Sequence, residues 1–163
     1  MDELMVKSMW ASACQSASSF AASMAHMRHY RRAAELIAAE TRKFVEQEPP
    51  GNSEELSRRQ LQQIGLSSRI SSIAYADAMA QMHPDVADAI LDETAKFCEG
   101  ELPESSDGVS RLQMASIALS SKFSSLCSTD AMNRLVGSFK DQPEFDEVVR
   151  LGRELRHASP AAQ

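Results

Sequence analysis

Residue type and spacing could support chemistry at three places, the aspartates Asp77 and Asp130 and the stretch Met24-Ala25-His26-Met27-Arg28-His29. Asp77 lies four residues after Ile73, and Asp130 four residues after Leu126. One helical turn therefore sets each carboxylate on the continuation of a bulky apolar row, near the end of its helix. A carboxylate so placed could act as acid, base or ligand. Caps and structural ion pairs outnumber such groups, so Asp77 and Asp130 are expected to cap the following turn or to meet an arginine of a neighbouring helix pair. The position 53 residues before Asp77 holds Met24, which speaks against a threefold catalytic or binding role.

His26 and His29 stand at i and i+3, close enough to reach one ion, and methionine is a ligand for soft copper. A metal site needs further ligands from a facing helix, and only His83 and His157 remain. The expectation is a pair of exposed imidazoles beside gap-filling methionines. Arg28, His29, Tyr30, Arg31 and Arg32 form the one basic cluster. It could contact phosphate or an acidic partner, but in an acidic chain it reads as the solvated start of a helix. Ser68, Ser72 and Ser128, with Arg69 or Lys122, could line a recognition surface or simply form a polar face. No Ser-His-Asp arrangement, Gly-rich phosphate loop or paired-carboxylate spacing is legible.

The elements that would position these residues are organised by an internal repeat. At a fixed offset of 53, without a gap, residues 40–79 and 93–132 share the same residue at 20 of 40 positions. Ordinary residue frequencies would give about two or three. The clearest part runs from Ile64 to Met79 and returns from Ile117 to Met132, with Arg69 opposite Lys122. A worn earlier copy places Ser18, Ser19, Ala21 and Ala25 opposite Ser71, Ser72, Ala74 and Ala78. Three units of roughly fifty residues lie in the range of helical arrays.

Within each unit, helical spacing separates a small row from a bulky one. The small rows are Cys14, Ser18, Ala21, Ala25; then Ser67, Ser71, Ala74, Ala78; then Ser120, Ser124, Cys127, Ala131. Small rows let a neighbouring helix approach, so these are expected at helix contacts. In this the repeat resembles tetratricopeptide-like hairpins, although its period is longer and the consensus of that family is absent. The bulky rows are Leu66, Ile70, Ile73 and Leu119, Phe123, Leu126. Gly65 faces Ala118 across the repeat, which predicts a site that wants smallness rather than a special backbone angle.

Length and composition agree with one all-helical domain. The chain has 163 residues, 43% apolar and 25% charged, with only 6 Gly and 6 Pro and no alternating strand pattern. The net charge of −6 makes nucleic acid a poor partner, since phosphate contacts need clustered Lys and Arg. Cys14, Cys98 and Cys127 have neither metal-ligand spacing nor an even count, so free thiols in a reducing compartment are expected. Asp2 and Glu3 stand where a secretory signal would be basic. No run of eighteen apolar residues would span a membrane.

Along the chain the pattern predicts helices over 3–27, 31–47, 54–82, 85–98, 109–136 and 143–157. A bend is expected at 28–32, by analogy with the break at His83-Pro84-Asp85. Met5, Met9, Trp10 and Phe20 are expected to supply the bulk of the first helix, and Ser53 to cap the third. Phe145, Val148, Val149 and Leu155 are expected inward on the last. A single domain over 1–157 follows, with repeat units at about 1–50, 51–103 and 104–157 and a flexible tail at 158–163.

The expected architecture is all-α: three tandem antiparallel helix pairs, stacked as an array or closed as a bundle. The expected function is a cytoplasmic, non-enzymatic binding module without cofactor, holding a protein partner or itself through an interhelical groove. Arg69, Ser72, Tyr75, Asp77, Lys122 and Asp130 are its expected partner-binding residues, and nine methionines suit an adaptable apolar surface. The alternatives are a metal-binding or enzymatic bundle using His26 and His29, and a structural subunit that self-assembles.

Overall fold

In a computed structural model, the described residues are 2–138 and 143–158, with the side chains at 136, 144, 145, 152 and 155–158 outside the description. Among the described residues there are six α-helices and one 3-10 turn, and no strand. They are α1 Glu3–His26, α2 Arg31–Val45, α3 Ser53–Met82, the 3-10 turn Pro84–Val86, α4 Ala87–Phe97, α5 Ser106–Ser138 and α6 Pro143–Ala158. The all-α class read from the sequence is what the chain adopts.

Local chemistry explains where these helices begin and end. Asp2 accepts a hydrogen bond from the Met5 N–H at 2.8 Å and starts α1. The uninterrupted polar and apolar pattern of residues 2–48 nevertheless breaks at Met27–Tyr30, as the repeat required. Asn52, rather than Ser53, caps α3 by accepting from Glu55 N at 2.9 Å. The Glu55 carboxylate accepts from Gly51 N at 2.7 Å, one residue before the cap, an arrangement close to a capping box. Pro84 opens its tight turn at the first position, where its missing N–H costs nothing. Gly100 takes a φ of 88° just beyond α4, a left-handed conformation that favours glycine. α5 is described as far as Ser138, one residue past Gly137.

The chain divides into two compact units, Met1–Cys127 and Ser128–Gln163, with the boundary inside α5. In the first unit α1 packs on α2, α2 on α3 and α3 on α4, while α1 also touches α3 and α2 touches α4. Its core holds Trp10, Ile37, Phe44, Leu66, Ile70, Ile73, Ile90, Leu91, Leu119 and Phe123. The Trp10 and Phe44 rings meet edge to face at 5.0 Å, and the Arg59 guanidinium lies 5.7 Å above the indole. In the second unit Asp130 is buried and Arg134 reaches it at 3.1 Å.

Several packing expectations change. On α1 the buried bulk is Val6 and Trp10, whereas Met5, Met9 and Phe20 are exposed. The small row of α3 lies at the rim of the packed face: Ser67, Ser71 and Ala78 are exposed and Ala74 is half-buried. Cys127 on α5 is buried and Ser120 half-buried. The buried stripe of α3 is instead Leu66, Arg69, Ile70, Ile73, Ala76, Asp77 and Ala80. Gly65 is also more demanding than its partner Ala118 implied. A Cβ there would lie 2.4 Å from Pro103 Cδ and 2.5 Å from Pro103 Cγ, so the ring of a distant loop excludes even alanine. Val148 is exposed and Val149 half-buried on α6. The expectations for Phe145 and Leu155, and for 159–163 of the tail, lie outside the described residues.

Candidate functional site

Residues related by the 53-residue offset build two charge clusters of the same design. In the first, Glu40 on α2 binds Lys43 Nζ through one carboxylate oxygen at 2.5 Å and Arg69 Nη1 on α3 through the other at 2.5 Å. In the second, Glu93 on α4 binds Lys96 Nζ at 2.6 Å and Lys122 Nζ on α5 at 2.7 Å. Each joins consecutive helices, and each acid sits three residues before its own helix's lysine. One residue after each acid, Thr41 and Thr94 donate to the carbonyls of Ile37 and Ile90, both at 2.7 Å.

The two clusters differ in what lies over them. In the first the acid and the arginine are sealed, Glu40 only 2% and Arg69 4% exposed, while Lys43 at the rim keeps 38% of its side chain exposed. Its cover is the C-terminal end of α4 and the residues that follow. Lys43 Nζ donates to the carbonyls of Cys98 at 2.8 Å and Gly100 at 3.4 Å. Arg69 donates to Cys98 O at 3.3 Å, Gly100 O at 3.2 Å and Glu101 O at 2.9 Å. Two cations thus meet the C-cap carbonyl at the negative end of a helix dipole and the carbonyls of the turn that follows. Burial and the Glu40 carboxylate push the Cys98 thiol up to about 12, against the opposing pull of Arg69 and Lys43.

The second cluster is open. The side chains of Lys96 and Lys122 are 65% and 63% exposed. Glu93 is half-buried between them, and hydrogen bonds from Lys122 and then Lys96 hold its carboxyl down to about 2. These three residues line a cleft of about 430 Å³ with Ala89, Asp92, Ser125 and Leu126. On α4 the lining residues recur at i, i+3, i+4 and i+7, and on α5 at i, i+3 and i+4, so each set is one helix face. Asp92 is already engaged by Arg32 of α2 at 2.5 Å. The cleft offers two exposed ammonium groups, both anchored on Glu93, beside an apolar wall of Ala89 and Leu126. That equipment suits binding of a group rich in oxygen acceptors.

The residues singled out from sequence fall into two classes. Arg69, Ser72, Asp77 and Asp130 are buried, while Tyr75 and Lys122 are exposed. Asp77 accepts from His29 N at 3.0 Å and Tyr30 N at 2.8 Å. It caps the start of α2, the turn of the preceding helix pair rather than the following one. Tyr30 Oη returns to Ala80 O at 3.1 Å and Arg28 donates to Ala74 O at 3.1 Å, so the 27–30 turn is fastened to α3. Ser72 shares a hydrogen bond with Ser116 of α5 at 2.8 Å, and the Tyr75 ring leans on Phe123 at 6.1 Å. Of these residues, only Lys122 lines the cleft.

His26 and His29 are exposed. Among the described residues no group of three His, Cys, Asp or Glu side chains could hold a metal ion. In the basic cluster Arg31 pairs with Glu35 at 2.7 Å and Arg32 with Asp92. Sequence reasoning passed over Glu93 and Lys96, although both match across the repeat with Glu40 and Lys43. The signal was a conserved charge triplet split between two helices, 29 residues from acid to distant base in each copy. Among the described residues no helix is long and apolar enough to cross a membrane. Compared with protein-family models, curated proteins and solved structures, the chain matches none.

Proposed function

We propose that this chain is a non-enzymatic helical-repeat protein that binds a protein partner, acting as an adaptor or chaperone-like module, and that the cleft between α4 and α5 is its binding groove. The observation that carries this reading is the contrast between the two charge clusters. One design occurs twice; in the first copy polypeptide carbonyls fill it, and in the second it stands open to solvent. The exposed lysines retain the capacity that Lys43 and Arg69 spend internally. A cytoplasmic setting goes with this reading, because Cys14, Cys98 and Cys127 are in no disulfide and a reducing compartment keeps thiols so.

Affinity capture from extract of the native cell tests it, with the unaltered chain beside the double variant Lys96→Glu, Lys122→Glu. A protein retained by the first and lost by the second is the expected result. An identical captured set from both would remove the cleft from consideration, and recovery of the bait alone would end the adaptor reading.

Self-assembly is the second reading, and a separate surface favours it. Met5, Met9 and Phe20 on α1 and its C-cap residue Met27 are all exposed, and the three on the helix fall within about 60° of one another around its axis. A stripe of that kind is a usual mark of an interaction face. Light scattering across a range of protein concentrations decides it, since a constant monomer mass excludes self-assembly.

A further inference from the structure

The sealed cluster describes the kind of object the open one would accept. Over Glu40, Lys43 and Arg69 lies a helix C-terminus: the last turn of α4, its cap residue Cys98, and Gly100 in the left-handed conformation. The carbonyls of that cap residue, and of Gly100 and Glu101 in the turn beyond the helix, receive the two cations, and the chain then drops Pro103 onto Gly65. Each contact point has a counterpart 53 residues on. Lys96 and Lys122 stand for Lys43 and Arg69, and Ala118 stands for Gly65. The counterparts are exposed, Ala118 included.

Charge favours the same occupant. Glu93 neutralises one of the two lysines, which leaves the cluster with one net positive charge, as Glu40, Lys43 and Arg69 have in the sealed copy. A helix C-terminus carries about half a negative charge and up to four unpaired carbonyls. A free carboxylate would satisfy the charge but not the neighbouring apolar wall of Ala89 and Leu126, which suits the side chains of a last helical turn.

We propose that the α4–α5 cleft receives the C-terminal end of an α-helix of a partner protein, with the ammonium groups of Lys96 and Lys122 donating to the carbonyls of its cap residue and of the turn that follows it. The proposal rests on the reading of this chain as a protein-binding module and names what its groove recognises. Recognition is by backbone, so it selects a helix end followed by a turn more than a particular sequence. Lys122 in place of the arginine of the sealed copy fits a reversible contact, because an ammonium lacks the rigid fork that fixes Arg69 to three carbonyls.

The test uses the full chain, isotopically labelled, and a lactam-stapled helical peptide ending in this chain's own residues 94–101, amidated and kept reduced. The staple removes most of the ordering cost that an isolated short helix would incur. A control peptide carries the same staple and residues, with Gly100→Ala and two further helical turns appended, so that the helix runs on and the carbonyls of the cap and turn are paired within it. The expected result is a shift of the backbone resonances of Glu93, Lys96, Lys122 and Ser125 by the first peptide. Binding should weaken about tenfold or more in the Lys96→Ala, Lys122→Ala variant, whose exposed substitutions leave the helical circular dichroism unchanged. Equal binding of both peptides in the cleft would overturn recognition of a helix end while leaving the protein-binding reading intact. Shifts confined to other surfaces, or none at all, would likewise overturn it. The capture experiment then reports separately on the broader reading, since it does not depend on the form of the ligand. Movement of the same resonances with concentration of the unliganded chain alone would identify a second copy as the occupant and overturn a partner protein.

Discussion

Replacing Arg69 by methionine and Lys122 by methionine removes the same member of two equivalent clusters, yet the costs are expected to differ several-fold. Arg69 is 4% exposed, and its partner Glu40 is 2% exposed. Removing one partner of a buried ion pair costs about 3–5 kcal/mol, because the remaining charge keeps its desolvation penalty without its compensation. Here Lys43 still binds Glu40 at 2.5 Å and still reaches Cys98 O and Gly100 O. That places the expected loss near the lower end, about 3 kcal/mol. Lys122 is 63% exposed, and an exposed pair is worth about 1 kcal/mol or less. Urea unfolding followed by the fluorescence of Trp10 measures both. Trp10 is the one tryptophan and packs against Phe44, one turn from Glu40. With a slope of about 2 kcal/mol per molar urea, the Arg69 variant should lose about 1.5 M in its midpoint and the Lys122 variant less than 0.5 M. The double variant Glu40→Met, Arg69→Met should recover part of the loss, since an apolar pair leaves no stranded charge. Equal midpoints for the two single variants would refute the claim that the cover of α4 carbonyls makes the first cluster structural and the second one open.

Four further outcomes are expected. Asp77→Ala should destabilise the first unit by about 1–3 kcal/mol by stripping the His29 and Tyr30 amides of their acceptor, and exchange of those two amides should accelerate. Gly65→Ala should destabilise by about 1–3 kcal/mol in chemical denaturation despite the better helix propensity, because a Cβ meets the Pro103 ring, whereas Ala118→Gly should cost only about 1 kcal/mol. The Glu93 carboxyl has a lowered value in the folded chain, about 2, so its contribution is present above the unfolded value near 4.3 and is lost as pH falls from there through about 2. A carbon-detected titration should show Glu93 still ionised at pH 3.5. Thiol labelling of the folded chain at pH 7.5 should modify the half-buried Cys14 before Cys98 and Cys127, with Cys98 slowest because its thiol is pushed up to about 12.

Much of the fold was legible because its signals are local. Pro84 stands two residues beyond the end of α3, and the 49–53 stretch lies in the gap between Val45, where α2 ends, and Ser53, where α3 begins. The 53-residue echo places the break before α2 even though residues 27–30 contain no Gly or Pro. Ile70, Ile73, Leu119 and Phe123 recur at helical spacing and are buried. Side-chain roles were less legible. Ser67 and Ser71 share the small row with Ala74 but lie at its exposed rim, because four positions spaced over three turns do not state how wide the covered face is. Phe20 and Trp10 are both large aromatics on α1, and only the placement of Phe44 and Arg59 decides that Trp10 turns inward. Asp77 was expected at a turn, but which turn depends on α3 lying against the 27–30 segment.

The sequence by itself determined an all-helical chain, its break points and the pairing of equivalent residues in two copies, since caps, prolines and periodicity act over one or two turns. The tertiary structure alone decided that Glu40 and Arg69 are sealed while Glu93 and Lys122 are open. Glu40 and Glu93 have the same residue type and the same spacing to their lysines, so no local rule separates them. What separates them is the end of α4, brought by packing from more than fifty residues away in the chain to supply carbonyls to Lys43 and shield one cluster from water.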